Sequence, residues 1–265
     1  MKPIKFNNTT PISKKDVLND LKKIGITEGV NIMVHSSLSK IGWVIGGAYT
    51  VVEALVELIG EKGTLVMPAA TPYCLHPTQW GDDNIPKKWS TKIAKNLPLF
   101  NIKNTPTTMG AIPETFRNWN GSLRSNHPIS SVSARGAMAK DIVEEHNLVL
   151  SESINTPYEK IYNNDFKILL LGVGFNRCTM LHFGESLSNN PRLTKSKYQI
   201  IEDNRKKWVE IADMANDNST YFPQIGKEFL ELKRVRVGKI GSAESMLFST
   251  KELVDFSIQY FNQKI

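Results

Sequence analysis

An α/β fold, in which helices cover a sheet, is what the 265-residue sequence predicts. Lys167 to Gly174 is the first of three observations behind it: almost every residue is apolar, the pattern of a central strand buried on both faces. Second, the short apolar runs Val30 to Val34 and Thr64 to Met67 are separated by a segment with helical rhythm. Third, 40% hydrophobic and 22% charged residues over this length supply a large core, enough for one domain spanning 1–265 with a small excursion.

Local chemistry sets each element. Ser13 with Asp16 three residues on forms a capping-box start; Val17, Leu18, Leu21 and Ile24 share a face, and Gly25 stops the helix. The strand Val30 to Val34 runs into a long loop, His35 to Gly47. Ala48, Val51, Val52, Leu55, Leu58 and Ile59 then define a second helix that ends at Gly60, and Pro68 closes the strand Thr64 to Met67. Periodicity lapses from Ala69 to Pro106. Tyr73, Trp80, Trp89 and Phe100 are costly to leave in water, so this stretch reads as an ordered excursion over a site. Thr108, Met109, Gly110, Ile112, Phe116 and Trp119 describe a helix, Arg124 to Pro128 a loop, Ile129 to Ala134 a strand, and Met138 to His146 another helix. After the central strand, Gly172 and Gly174 let the chain turn into a helix capped by Thr179 and running through Glu185. Tyr198 to Ile201 and Trp208 to Ile211 flank Asp203 and Asn204 as a hairpin. Tyr221, Phe222, Ile225, Phe229 and Leu232 make a helix face, Val235 to Ile240 a late strand, and Leu253 to Phe261 a closing helix.

His182 and Glu185 lie one helical turn apart beyond the carboxyl end of the central strand, where open α/β sheets bind ligands. They read as a general base with an orienting carboxylate, although the same spacing describes a solvated surface pair. Cys178, one turn earlier, offers an acyl-cysteine route or is an inert buried thiol. His182-x-x-Glu185 reverses the order of di-iron helices and has no second copy, so no metal is expected. Gly172-x-Gly174 is not a dinucleotide fingerprint, because Arg177 occupies the place of the third glycine. The His35 to Gly47 loop, with three serines and Gly46-Gly47 before a helix, suits a pyrophosphate or simply caps that helix. Arg124, Ser125, Asn126 and His127 bring a cation and an imidazole to a site or form a surface loop.

Cys74 and Cys178 exclude a disulfide framework, and without a signal-like start or about 20 uninterrupted apolar residues the expected location is the cytoplasm. A net charge of +7 favours an anionic partner and raises the alternative of a non-enzymatic nucleic-acid-binding protein. The basic residues are scattered, however, with Arg205, Lys206 and Lys207 at the hairpin tip as the densest cluster, rather than forming a stripe with aromatics.

Several motifs in order complete the picture: Val34-His35-Ser36-Ser37-Leu38-Ser39, Gly42-Trp43-Val44 with Gly46-Gly47, Gly63 to Pro68, Met109-Gly110, Arg124 to Pro128, Ser153 to Tyr158, Leu170 to Gly174, Thr179 to Glu185 and Gly238 to Gly241. Over nearly the whole chain this set resembles the aminoglycoside 3-N-acetyltransferase family of antibiotic-resistance enzymes. The resemblance implies an α/β/α sandwich around a mixed sheet with a hairpin-containing excursion, acetyl-coenzyme A as donor, and direct acetyl transfer to an amine, the 3-amino group of an aminoglycoside. It implies a donor site at Ser36, Ser37, Leu38, Ser39, Gly42, Val44, Gly46, Gly47, Met109 and Ser125. His182 would be the base and Glu185 its orienting group. Thr71, Asp82, Asp83, His127, Asn176 and Thr179 would shape the acceptor pocket, with Asp82, Asp83, Glu152 and Glu185 available to a polycation, and a homodimer is one assembly left open. Asn176 stands where the family commonly carries an acid, and Gly184 where it carries alanine or serine.

Overall fold

The computed structural model describes residues 10–81, 85–203, 205–215 and 220–264. Ser13 and Asp16 close the expected capping box on α1 (Lys14–Ile24), and Gly25 ends it with φ at 106°. Next come β1 (Asn31–Ser36), the one-turn α2 (Leu38–Ile41), α3 (Ala48–Ile59) and β2 (Thr64–Pro68). The described part of the excursion is ordered, with short 3-10 turns and α4 (Ser90–Asn96); Trp80 Nε1 donates to Leu75 O at 2.8 Å. Then follow α5 (Ala111–Arg117), β3 (Leu123–Arg124), β4 (Val132–Gly136), α6 (Ala139–Glu144) and α7 (Pro157–Asn163). The chain continues through β5 (Lys167–Leu171), α8 (Met180–Ser186), β6 (Leu193–Glu202) and β7 (Arg205–Met214). It closes with α9 (Phe222–Glu231), β8 (Arg236–Ile240), β9 (Ala243–Ser249) and α10 (Thr250–Lys264).

Among the described residues seven strands form one mixed sheet in the order β3-β4-β2-β1-β5-β9-β8, and β6 with β7 form a separate hairpin. Only the central pairs, β1 with β2 and β1 with β5, are parallel; the others are antiparallel. The strand period of two sorts the core into two layers. Met33, Val66, Ile168 and Leu170 pack with residues of α6 to α10, whereas Ile32, Val34, Leu65, Met67, Leu169 and Leu171 pack with α1, α3 and α5. Ile168 to Leu171 are fully buried, so truncating any one of them to alanine costs about 2–5 kcal/mol. This is the expected three-layer α/β/α arrangement around a mixed sheet, with the hairpin set apart.

Several expectations needed correction. β9 and α7 were not anticipated: Glu244, Ser245 and Ser249 interrupt the apolar pattern of β9, and α7 is announced only by the Thr156 cap and Pro157. The strand expected at Ile129 to Ala134 lies at Val132–Gly136, because Ile129 and Ser130 turn their amides onto His127. Gly110, at φ 104°, delays α5 to Ala111. Thr179 is already helical (φ −61°, ψ −24°) and makes no side-chain cap; the amides of Met180 and Leu181 face the sulfur of Cys178 instead.

Candidate active site

The parallel strands β1, β2 and β5 all end on one side of the sheet, and that is where a cavity of about 810 Å³ opens. His35 and Ser36 at the end of β1, Pro68 at the end of β2 and Val173 just past β5 line its floor. Ser37, Leu38 and Ser39 enter it from α2, Thr108 to Pro113 from the start of α5, and Ser130 and Glu152 from the loops around α6. Thr179 and His182 come from the α8 segment. The hairpin contributes Thr194, Lys195, Ser196, Asp213 and Met214.

α8 is held close to the core by Gly184, where a Cβ would stand 2.0 Å from Ser257 Oγ of α10. That packing carries His182 to the cavity, 3% exposed, with its ring edge-on to Phe222 at 4.7 Å. Its Nδ1 lies 3.9 Å from Glu152 Oε2. Glu185 is bound by a guanidinium: its two oxygens receive Arg192 Nε at 2.5 Å and Nη2 at 3.0 Å, and Arg192 also covers the Tyr221 ring. Glu152 is thus a carboxylate at His182 Nδ1, whereas Glu185, expected to orient the imidazole, is engaged by Arg192. Helical spacing put Glu185 near in sequence, but the half-buried Arg192 guanidinium holds it.

Burial pushes the Glu152 carboxyl well above the usual carboxylate range, and the nearby Asp213 and Glu185 push it further. Asp213, 5% exposed, is raised for the same first reason. Its Oδ1 accepts from Ser151 N at 3.0 Å, Ser151 Oγ at 2.9 Å and Met214 N at 3.0 Å. Two acids held above their ordinary range in one wall favour a cation between them, since a positive charge removes the cost of ionising them. Sequence reading missed Asp213. Its only signal is an acid between Ala212 and Met214 in a hairpin strand.

Behind the Ser130 wall lies a layer of buried imidazoles. His127 stacks on His146 with centroids 4.6 Å apart. His127 Nδ1 accepts from Ile129 N and Ser130 N, at 3.1 and 2.9 Å. His146 Nε2 donates to Ser151 O at 2.8 Å, so its Nδ1 accepts from Ser125 Oγ at 2.9 Å. Burial holds His146 down to about 4 and His127 well below its ordinary range, so neither is charged at neutral pH. Both instead brace the loops that present Ser130 and Glu152.

The structure brings Ser36, Ser37, Leu38, Ser39, Met109, Thr179 and His182 into the lining of one cavity. It leaves others outside. Ser125 and His127 are fully buried in the imidazole layer, and Thr71, also fully buried, donates its hydroxyl to Pro128 O at 2.6 Å. Val44 is tied to Ile12 as a β-bridge, so the Gly42 to Gly47 half of the loop faces the N-terminal segment rather than the cavity. Asn176 is exposed on a 3-10 turn outside the lining. Asp82 and Asp83 lie outside the described residues. Cys178 is fully buried, away from the lining, and burial pushes its thiol up to about 12, which removes the thiolate an acyl-cysteine route needs.

Three lining side chains, His35 at Nε2, Ser36 at Oγ and Thr179 at Oγ1, hold buried polar atoms without a protein partner. Each such atom costs about 1–3 kcal/mol until a polar group meets it.

Residues 33–262 match the family model described as aminoglycoside 3-N-acetyltransferase. A prophage-derived aminoglycoside N(3')-acetyltransferase-like protein, YokD of Bacillus subtilis (strain 168), is 36% identical over 98% of this chain and 96% of its own. Aminoglycoside N(3)-acetyltransferase III of Serratia marcescens is 30% identical over 94% of this chain and 97% of its own. The crystal structure of the B. subtilis YokD protein superposes with a TM-score of 0.91, covering 97% of this chain and 95% of that one, at 35% identity. AAC-IIIb, solved as a binary complex with CoASH, superposes with a TM-score of 0.81 over 97% and 98% of the two chains, at 26% identity. The alternative drawn from charge, a non-enzymatic nucleic-acid-binding protein, gives way to these relatives. The chain belongs to the aminoglycoside 3-N-acetyltransferase family and is an acyltransferase of that kind.

Proposed function

We propose that the chain transfers an acetyl group from acetyl-coenzyme A to an amino group, the 3-amino group of an aminoglycoside being the acceptor its relatives indicate. The carrying observation is His182, nearly buried in a cavity at the strand ends with Glu152 3.9 Å from its Nδ1. An ammonium has no lone pair, so the amine attacks as its free base, the ammonium proton having gone to solvent, and His182 accepts on its other ring nitrogen the proton that the nitrogen sheds as it bonds to carbon. Glu152 stabilises the imidazolium that results, taking the role sequence spacing gave to Glu185. Asp213 offers a second anionic group to a cationic acceptor.

Ser36 to Ser39 with Met109 are the residues that would hold the donor, and the unpartnered Ser36 Oγ and Thr179 Oγ1 fit its polar groups. Related structures support the pairing of ligands: AAC-IIIb carries CoASH, and AAC-VIa, 26% identical with a TM-score of 0.83, carries sisomicin. A panel of amines offered with acetyl-coenzyme A, read as free thiol released, tests the reading. His182→Ala should lower turnover roughly 10²–10⁴-fold while donor binding survives. Near-normal turnover in that variant would remove His182 as the base, and no thiol release with any amine would remove the reaction.

A further inference from the structure

His35 is used by nothing so far, yet it sits on the floor of the same cavity. It is the penultimate residue of β1, paired with Leu170 in the parallel register. The strand period puts its side chain on the face of Met33, which packs in the same core layer as Met180, Leu181 and Phe183 of α8. His35 and His182 therefore approach the cavity from the same side of the sheet. His35 is 4% exposed, and its Nε2 is buried without a partner.

Resting on the acetyl-transfer reading, we infer that His35 is a second catalytic residue, a neutral imidazole whose Nε2–H donates to the carbonyl oxygen of the acetyl thioester and holds the charge that oxygen gains during attack. Burial keeps this imidazole uncharged down to about pH 3, so it does not compete with His182 for the amine's proton. It keeps one N–H to give. Burial is what lowers the pKa of this imidazole, and a neutral donor in such a setting suits an uncharged carbonyl. Donors aimed at oxygen in a site closed to water contribute most where charge develops.

The bonds balance without an oxidant or a metal. The amine nitrogen bonds to the carbonyl carbon, the carbonyl electron pair moves onto oxygen against His35 Nε2–H, and the amine's surplus proton goes to His182. When the pair returns, the carbon–sulfur bond breaks, and the sulfur leaves with its electrons and receives that proton as the free thiol.

Two variants and two readouts test this in the full chain. His35→Leu keeps similar volume without a donor, and His35→Asn restores a neutral N–H. With a fixed amine, His35→Leu should lower kcat roughly 10²–10³-fold. The KM for acetyl-coenzyme A should change by less than about threefold, and His35→Asn should recover at least about tenfold of the lost rate. Independently of turnover, isotope-edited infrared spectroscopy of acetyl-coenzyme A bound without acceptor should place the wild-type thioester carbonyl stretch at lower wavenumber than the free molecule, and His35→Leu should abolish the displacement. A folded His35→Leu protein with wild-type kcat, or an undisplaced carbonyl in the wild type, overturns the inference while leaving acetyl transfer standing. A wild type that binds the donor but acetylates no amine overturns both.

Discussion

Glu185, fully buried, and Glu152, half-buried, are two carboxylates around the helix of His182, and their surroundings are opposite. Glu185 meets a guanidinium in bidentate geometry, from Arg192 at the entrance to β6. Glu152 has the imidazole 3.9 Å away and acids as its other charged neighbours. A carboxylate neutralised by a guanidinium is a structural clamp, here between α8 and the hairpin wall. One whose neighbours are an imidazole and further acids is poised to answer a proton or a cationic ligand. Chain neighbourhood favours Glu185 as the partner of His182, and three-dimensional charge favours Glu152.

The clamp gives the largest expected effect on stability. Arg192→Met leaves Glu185 buried without its cation, and unfolding free energy should fall by about 3 kcal/mol, read by chemical denaturation. No loss would mean that Glu185 finds water or another donor, and the contrast between the two acids would weaken. At the other acid wall, Asp213→Asn keeps an oxygen for the Ser151 and Met214 donors but removes the charge. Because burial raises the Asp213 pKa, ionised Asp213 costs stability at pH 7, and that cost fades as pH falls through the folded-state pKa and is gone below about 3.8, where the unfolded carboxyl is protonated too. The variant should therefore melt about 2–4 °C higher at neutral pH, with the advantage shrinking on acidification, while KM for a cationic amine rises. An unchanged KM would separate Asp213 from acceptor binding. The smallest effect is expected for Cys178→Ser, whose turnover should stay within about twofold because the thiol is buried and protonated. A large loss of activity without loss of stability would return the sulfur to the chemistry.

How much of this was legible in the sequence depended on whether the signal was local. Periodicity and caps placed α1, α3, β1, β2 and β5, because Ser13, Gly25 and the run at Ile168 act within a few residues of themselves. β9 was not legible, since a strand carrying Glu244 and Ser245 owes its place to pairing along the full length of β5, far from it in sequence. In the site, His182 and Ser36 to Ser39 could be read from their position after strands. The approach of Glu152 to His182 could not, as Glu152 arrives from a loop thirty residues earlier in the chain. The fate of His127 was hidden for a related reason: a histidine in a polar loop looks accessible until the amides of Ile129 and Ser130 turn it inward. Ser125 and Thr71 followed it into the interior through their own hydrogen bonds.

Whether Glu152 rather than Glu185 works with His182 is decided most directly by measuring kcat for acetyl transfer and thermal unfolding side by side in Glu152→Gln and Glu185→Gln. Glu152→Gln should lose roughly 10–100-fold in kcat with no loss of melting temperature, and Glu185→Gln should melt at least about 4 °C lower with kcat within about threefold of wild type. The reverse pattern, with turnover lost in Glu185→Gln and kept in Glu152→Gln, would contradict the assignment.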